Sequence, residues 1–236
     1  MMTERGPLLE VIACSVSDAI EAEKGGAGRL EIIGEFERGG MTPPRELVRC
    51  VLDAVTVPVR VMLRESDGFG VTGEAEVERL CDAARELSQL SVDGVVLGFV
   101  HDRAIDLELT ARVLSSAPDL KATFHHAFEE AGNHLEAINE LKKLGQVDRI
   151  LAHGGSGDWI EKGERLADYC RAAGPEIAIL AGGGLNLASI ESLLKTTPIR
   201  EFHIGRAVRS PTPSAAVVEA GKVRELVQLI QAKTAV

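Results

Sequence analysis

Three histidines, His125, His153 and His203, stand at the ends of separate apolar runs of strand length, and Glu31 stands near the end of another. Imidazole titrates near neutral pH and also ligates metals. Histidines gathered from different strand ends can therefore exchange protons with a bound molecule or hold a divalent metal together with Glu31. Residue type leaves both chemistries open. Arg64 ends a further run, and its planar fork suits a carboxylate or a phosphate. Near the C-terminus two runs stop at glycine, Ile177-Ala-Ile-Leu-Ala-Gly-Gly-Gly184 and Glu201-Phe-His-Ile-Gly-Arg206. Each opens into a helical pattern, so Gly183, Gly184 and Gly205 can bring backbone N–H groups close to an anion, with Arg206 adding charge.

Those side chains need a scaffold that brings strand ends together. Apolar runs alternate with amphipathic helical stretches along the whole chain. Strands are predicted over Leu8–Cys14, Arg29–Ile33, Val57–Leu63, Gly94–Val100, Ala122–His126, Arg149–His153, Ile177–Ala181 and Glu201–Ile204. Seven helical patterns fall between them, and a last one, Val217–Ala232, follows. Eight βα units in 236 residues fit a single (β/α)₈ TIM barrel, an α/β fold whose ligand site lies at the C-terminal ends of the strands. The last two strands then supply its usual phosphate site. One domain is expected over residues 1–236, with residues 1–7 a disordered or extended N-terminus. The longer loops, Gly34–Pro44 and Glu65–Gly73, belong at the active face.

Strand parity sorts the side chains within that scaffold. Glu10, Cys14, Glu31, Arg60, Met62, Arg64, Thr123, His125, His153 and His203 are read as facing inward, and His126 as facing the helices. Charges in runs this apolar are costly to bury alone. Glu10 and Glu31 are therefore expected to neutralise Arg60 and Arg64 from neighbouring strands, with Glu10 and Arg60 as a supporting ion network near the barrel floor. No lysine ends a predicted strand, which speaks against a Schiff-base enzyme. Neither a serine-nucleophile signature nor a dinucleotide fingerprint is present.

Composition narrows the partners. A net charge of −10 disfavours nucleic acid and membrane surfaces, and no apolar run reaches the length of a span. The four cysteines are widely spaced, without metal-ribbon or disulfide-scaffold patterning. A cytoplasmic protein is expected, and a barrel of this size is compatible with a homodimer.

The segments Leu9-Glu-Val-Ile-Ala-Cys14, Gly26-Ala-Gly-Arg-Leu-Glu31, Gly39-Gly-Met-Thr-Pro43, Val57-Pro-Val-Arg-Val-Met-Leu-Arg64, Thr123-Phe-His-His-Ala-Phe128, Gly182-Gly-Gly184 and Glu201-Phe-His203 together resemble the CutC family, named for copper homeostasis. The resemblance spans nearly the whole chain and implies a cytoplasmic TIM barrel with a role in copper handling. Glu10, Cys14, Glu31, Arg64, His125 and His203 match the family pattern. Ile33, His126, Glu129, the Arg64-Glu-Ser66 segment, Ala152-His-Gly154 and Ile204-Gly-Arg206 depart from it. These departures gather at the ligand-facing end.

Two functions follow. The resemblance implies copper as a cofactor or cargo. Cu(I) prefers thiolate and thioether ligands, and Cys14 and Met62, with Met41 in a nearby loop, are the candidates. A second thiol is missing where Ile33 stands. The alternative is an enzyme of isomerase, epimerase or lyase type, or a sensor, acting on a small phosphorylated or carboxylated metabolite. In that reading Gly183, Gly184, Gly205 and Arg206 hold the anion, and Glu31, Arg64, His125, His153 and His203 do the chemistry.

Overall fold

Strands built of nearly continuous Val, Ile and Leu must be covered on both faces, which a closed parallel sheet wrapped in helices achieves. The computed structural model of the chain, which describes residues 6–210 and 216–234, has this architecture. Its barrel strands are β1 Leu8–Ala13, β2 Arg29–Ile32, β3 Val59–Met62, β4 Gly94–Leu97, β5 Lys121–Phe124, β6 Val147–Ala152, β7 Ala178–Ala181 and β8 Glu201–Ile204. Each pairs in parallel with its sequence neighbours, and β8 closes on β1. The outer layer holds α1 Val16–Gly25, α2 Arg45–Ala54, α3 Glu74–Ser88, α4 Leu107–Ser115, α5 His134–Leu141, α6 Trp159–Ala173, α7 Leu187–Thr196 and α8 Ala220–Thr234. The α/β TIM barrel expected from the sequence is therefore present. Of residues 1–7, expected to be disordered or extended, only Gly6 and Pro7 belong to the described residues.

Helix starts are marked by side-chain caps, Ser15 on α1, Asp106 on α4, Asn133 on α5, Asp158 on α6 and Asn186 on α7. Each oxygen accepts a backbone N–H that the first turn cannot use. Between strands and helices lies the aliphatic core, with Val11, Leu30, Ile32, Val61, Val95 and Phe202 all buried.

Some boundaries differ from expectation because local pairing competes with the main pattern. β4 ends at Leu97, and the expected continuation instead forms a small hairpin between Val100–His101 and Ala104–Ile105. β5 stops at Phe124, where His126–Glu130 winds into a 3₁₀ turn. The last helix begins at Ala220 rather than Val217. Val217–Val218 pairs with Arg209–Ser210, and the Val218 N–H donates to buried Asp18 at 3.0 Å.

The barrel floor corrects the expected pairing of Glu10 and Glu31 with Arg60 and Arg64. Glu10 accepts from Arg29, whose other end lies 3.6 Å from Glu201. Glu201 takes both a 2.6 Å and a 3.1 Å bond from Arg149, which also reaches Asp148. Arg60 is fully buried and forks onto Asp148 at 2.7 and 2.9 Å, with Asp93 at 2.9 Å and Thr123 Oγ1 at 2.7 Å. The β5–β6 register shifts between Ala122 and Thr123, so Asp148 and Arg149, adjacent in sequence, both join this inner network. Arg64 takes no part in it.

Candidate functional site

Above the charged floor, at the C-terminal ends of the strands, lies a cavity of about 660 Å³. Its walls include Ile12, Ile33, Met62, Leu151 and Ile204, and its polar lining brings together Glu31, Arg64, His125, His203, Gly183, Gly184, Gly205 and Arg206. Strand ends from most of the barrel thus converge as parity required.

The deepest polar group is a carboxylate–imidazole–carboxylate series. His203 Nδ1 lies 2.7 Å from Glu10 Oε1, and its Nε2 lies 3.5 Å from Glu31 Oε2. Burial opposes the charge on Glu10, but Arg29 and His203 outweigh it and hold its pKa well below the usual carboxylate range. An ionised Glu10 can only accept, so His203 carries a proton on Nδ1 and presents Nε2 to Glu31. Burial, aided by the Glu10 charge and opposed by His203, pushes Glu31 up to about 7. For His203 burial works against the imidazolium, but Glu31 and Glu10 outweigh it and the pKa rises above its ordinary value. The second oxygen of Glu31, Oε1, is buried without a hydrogen-bond partner among the described residues. The pair can accept or release a proton near neutrality beside a bound molecule.

Arg64 lies on the opposite side of the barrel from the glycine turn, since three strands lie between β3 and β7 either way around. Its guanidinium donates to the carbonyls of Gly68, Arg38 and Gly40 at 3.2 to 3.4 Å and lies over the Phe69 ring. No carboxylate pairs with it among the described residues, so its positive charge is available to the cavity. Arg206, exposed at the rim, lies over Phe36 at 5.4 Å from the ring centroid.

After β7 the chain turns through two consecutive left-handed residues, Gly183 at φ 83° and Gly184 at φ 85°. A Cβ on Gly183 would meet the His153 Cβ at 2.7 Å, so glycine is required there for space as well as for conformation. The N–H groups of Gly183, Gly184 and Gly205 have no partner among the described residues. Gly183 and Gly184 lead directly into the N-terminus of α7, which favours negative charge, and Gly205 precedes the 3₁₀ turn Arg206–Val208.

His125 lines the cavity with its Nδ1 turned away, accepting the Ala127 N–H at 3.2 Å. Burial, together with the Arg64 charge, lowers its pKa to about 3. Its neighbour corrects the parity reading, for His126 also lines the cavity instead of facing the helices, because the backbone leaves β5 there for the 3₁₀ turn. Burial, with His203, His153 and His125 nearby, lowers His126 to about 3 as well.

His153 does not line the cavity, contrary to expectation. Its Nδ1 accepts the Gly155 N–H at 3.0 Å and its ring packs on His126. Buried Glu129 fixes that loop by accepting the His153 and Gly154 N–H groups at 2.6 and 3.0 Å.

The expected copper ligands fail a chemical test. Cys14 packs against the apolar group of Ile33, Met62 and Val96, and its Sγ lies 3.7 Å from Arg209. Burial outweighs that guanidinium and pushes the thiol up to about 11, so Cys14 stands as a neutral thiol, and no second thiol lies beside it where Ile33 stands. Among the described residues no group of three or more His, Cys, Asp or Glu could hold a metal ion. Cys14 and Met62 do not fit a copper centre.

Sequence reasoning missed Arg29, Arg149 and Glu201, although each lies two residues before an inward-facing position on its strand, Glu31, Leu151 and His203. Phe36, Arg38 and Phe69 line the cavity from the two long loops, where parity has no purchase.

Comparison with known proteins follows the same pattern. Family protein CutC of Xanthomonas campestris pv. campestris is 31% identical over 237 residues, covering 94% of this chain and 98% of the relative. Its counterpart in Mesorhizobium japonicum is 34% identical over 200 residues, covering 84% of this chain and 77% of the relative. Among solved structures, a CutC protein of Streptococcus agalactiae, named for copper homeostasis, superimposes with a TM-score of 0.76 at 25% identity over 84% of this chain and 98% of that one. A thiamine phosphate pyrophosphorylase of Pyrococcus furiosus shares the fold alone, with a TM-score of 0.61 at 20% identity and 96% of each chain covered. The CutC family model matches residues 8–208, and this chain belongs to the CutC family.

Proposed function

We propose that the chain binds a small phosphorylated or carboxylated metabolite in the barrel mouth and moves a proton on it, as an isomerase, epimerase or lyase does. The observation that carries this reading is the buried Glu31–His203 pair on the cavity wall, 3.5 Å apart, with one buried carboxylate oxygen left without a partner among the described residues. A protein seldom leaves such an oxygen without a partner except where a ligand or water completes it. The anion is held by the N–H groups of Gly183, Gly184 and Gly205 with Arg206, and Arg64 receives a second polar end. Apolar walls of Ile12, Ile33, Met62 and Leu151 keep water sparse, which strengthens each of these contacts.

Copper homeostasis, the role carried by the family name and by the Streptococcus neighbour's, is the second reading, together with a cytoplasmic location. The described residues give it no thiolate set. Anaerobic loading with Cu(I) followed by metal analysis tests it, and stoichiometric copper that is lost in Cys14→Ser would restore it.

The acid–base reading is tested by carbon-13 NMR titration of the Glu31 carboxyl, assigned through Glu31→Gln. A titration step near 7 is expected. A carboxyl that titrates at its ordinary value of 4.5 removes the basis for the proposal.

A further inference from the structure

Resting on the acid–base reading of this cavity, we propose that His125 donates a neutral N–H hydrogen bond to a carbonyl oxygen, so that the substrate is a small anionic carbonyl compound whose α-proton is taken by Glu31.

The argument begins with what His125 can no longer do. Its Nδ1 lone pair is occupied by the Ala127 N–H at 3.2 Å, which places the ring proton of the neutral form on Nε2. The ring cannot turn to exchange the two nitrogens freely. A Cβ on Gly98 would meet Nδ1 at 2.6 Å, so backbone lies directly behind it, and Phe69 packs at 5.2 Å between ring centroids. Protonation to the cation is opposed by burial and by the nearby Arg64 charge. His125 is therefore neither a base nor a strong acid. What remains is a fixed donor, Nε2–H, with no partner among the described residues and on a side chain that lines the cavity.

A neutral donor in an enclosed site is suited to an oxygen on which negative charge develops during reaction. Across the cavity, three strands away on β2, Glu31 lines the wall, and its buried Oε1 has no hydrogen-bond partner among the described residues. A base on one side and a neutral donor on the other match the needs of enolisation. The Glu31 carboxylate takes the proton from the carbon beside the carbonyl, and the C–H bonding pair becomes the carbon–carbon double bond. The carbonyl π pair moves onto oxygen, where the His125 N–H stabilises it. Return of the proton from the Glu31 carboxylic acid to carbon restores the carbonyl, and no oxidant, reductant or metal enters the balance. Phosphorylated hydroxyketones and α-keto acids share the required chemistry, an anionic end for the glycine turns or Arg64 and an acidic C–H beside a carbonyl.

The test is deuterium exchange in D₂O, followed by proton NMR, with dihydroxyacetone phosphate and pyruvate as probes. Their reduced counterparts, glycerol phosphate and lactate, serve as controls, and binding is measured on the same samples. Exchange at the α-carbon is expected for at least one keto probe and for neither alcohol. Which of the two exchanges tells phosphate from carboxylate recognition. Glu31→Gln should abolish exchange while binding persists. His125→Leu should slow it by about a hundred- to a thousandfold, and His125→Asn, which keeps an N–H, should recover part of the loss. Independently of any substrate, nitrogen-15 NMR of the wild-type protein should show His125 neutral with the proton on Nε2 across about pH 5 to 8. Binding without exchange, or a His125 proton on Nδ1, overturns this inference and leaves the anion site standing. Failure to bind any of the four anions overturns the reading on which it rests.

Discussion

A glutamate and a histidine in water titrate more than two units apart, and neither group is then poised to both give and take a proton at neutral pH. In the barrel mouth, burial raises Glu31 toward 7 while Glu10, kept ionised by Arg29, props up the His203 imidazolium. Two other histidines move the other way, since burial keeps His125 and His126 neutral. These shifts set the stability profile with opposite signs. Glu31 and His203 bind protons more tightly when folded, so their contribution is full at low pH and is lost as pH rises, for Glu31 between its ordinary 4.5 and about 7 and for His203 above its ordinary 6.5. His125 and His126 bind protons less tightly when folded, so stability is lost as pH falls below their ordinary 6.5. Urea unfolding across pH should therefore show a maximum in the weakly acidic to neutral range. Glu31→Gln should flatten the alkaline limb, and an unchanged alkaline slope would mean that Glu31 is ionised throughout. Strand parity made Glu31, His125 and His203 legible in the sequence. His126 and His153 were misread because β5 ends two residues early and a glycine loop turns His153 out of the cavity.

At the scale of elements, the site depends on where β7 and β8 release the chain. Gly183 and Gly184 have nearly the same left-handed conformation, yet their surroundings differ. Gly184 has open space where a Cβ would stand, whereas Gly183 is backed by His153. Gly184→Ala should cost about 1–2 kcal/mol, the usual left-handed penalty, and should retain anion affinity. Gly183→Ala should cost more and weaken phosphate binding at least tenfold, because either the turn or the His153 loop must move. Calorimetric titration with inorganic phosphate checks both, and equal effects of the two changes would argue against a shaped turn. These glycines were legible because an apolar run ending in three glycines before a helix has few other uses. The Phe36 and Phe69 walls were not, since loop side chains follow no period that relates sequence to direction.

For the whole molecule, the floor beneath the cavity is an ion network joining strands β1, β2, β3, β6 and β8, with three guanidiniums, Arg29, Arg60 and Arg149, facing Glu10, Asp148, Glu201 and the more peripheral Asp93. Removing one partner of a buried pair strands the other. Arg60→Met should destabilise the fold by about 3–5 kcal/mol in urea unfolding, and a loss below about 1 kcal/mol would show that the network is dispensable. The number of strands was readable from eight apolar runs, and Glu10 and Arg60 were recognisable as buried charges. Their partners were not, because a barrel pairs residues by register and a bulge at β5–β6, neither of which is written in any single strand. With floor, walls and rim fixed in this way, the most direct check on the account is a crystal structure of the protein grown or soaked in inorganic phosphate. The expected result is an anion held by the N–H groups of Gly183, Gly184 and Gly205, beside Arg206 and within the cavity that Glu31 and His203 line. Turns that stay empty at saturating phosphate, with the anion elsewhere or absent, would contradict it.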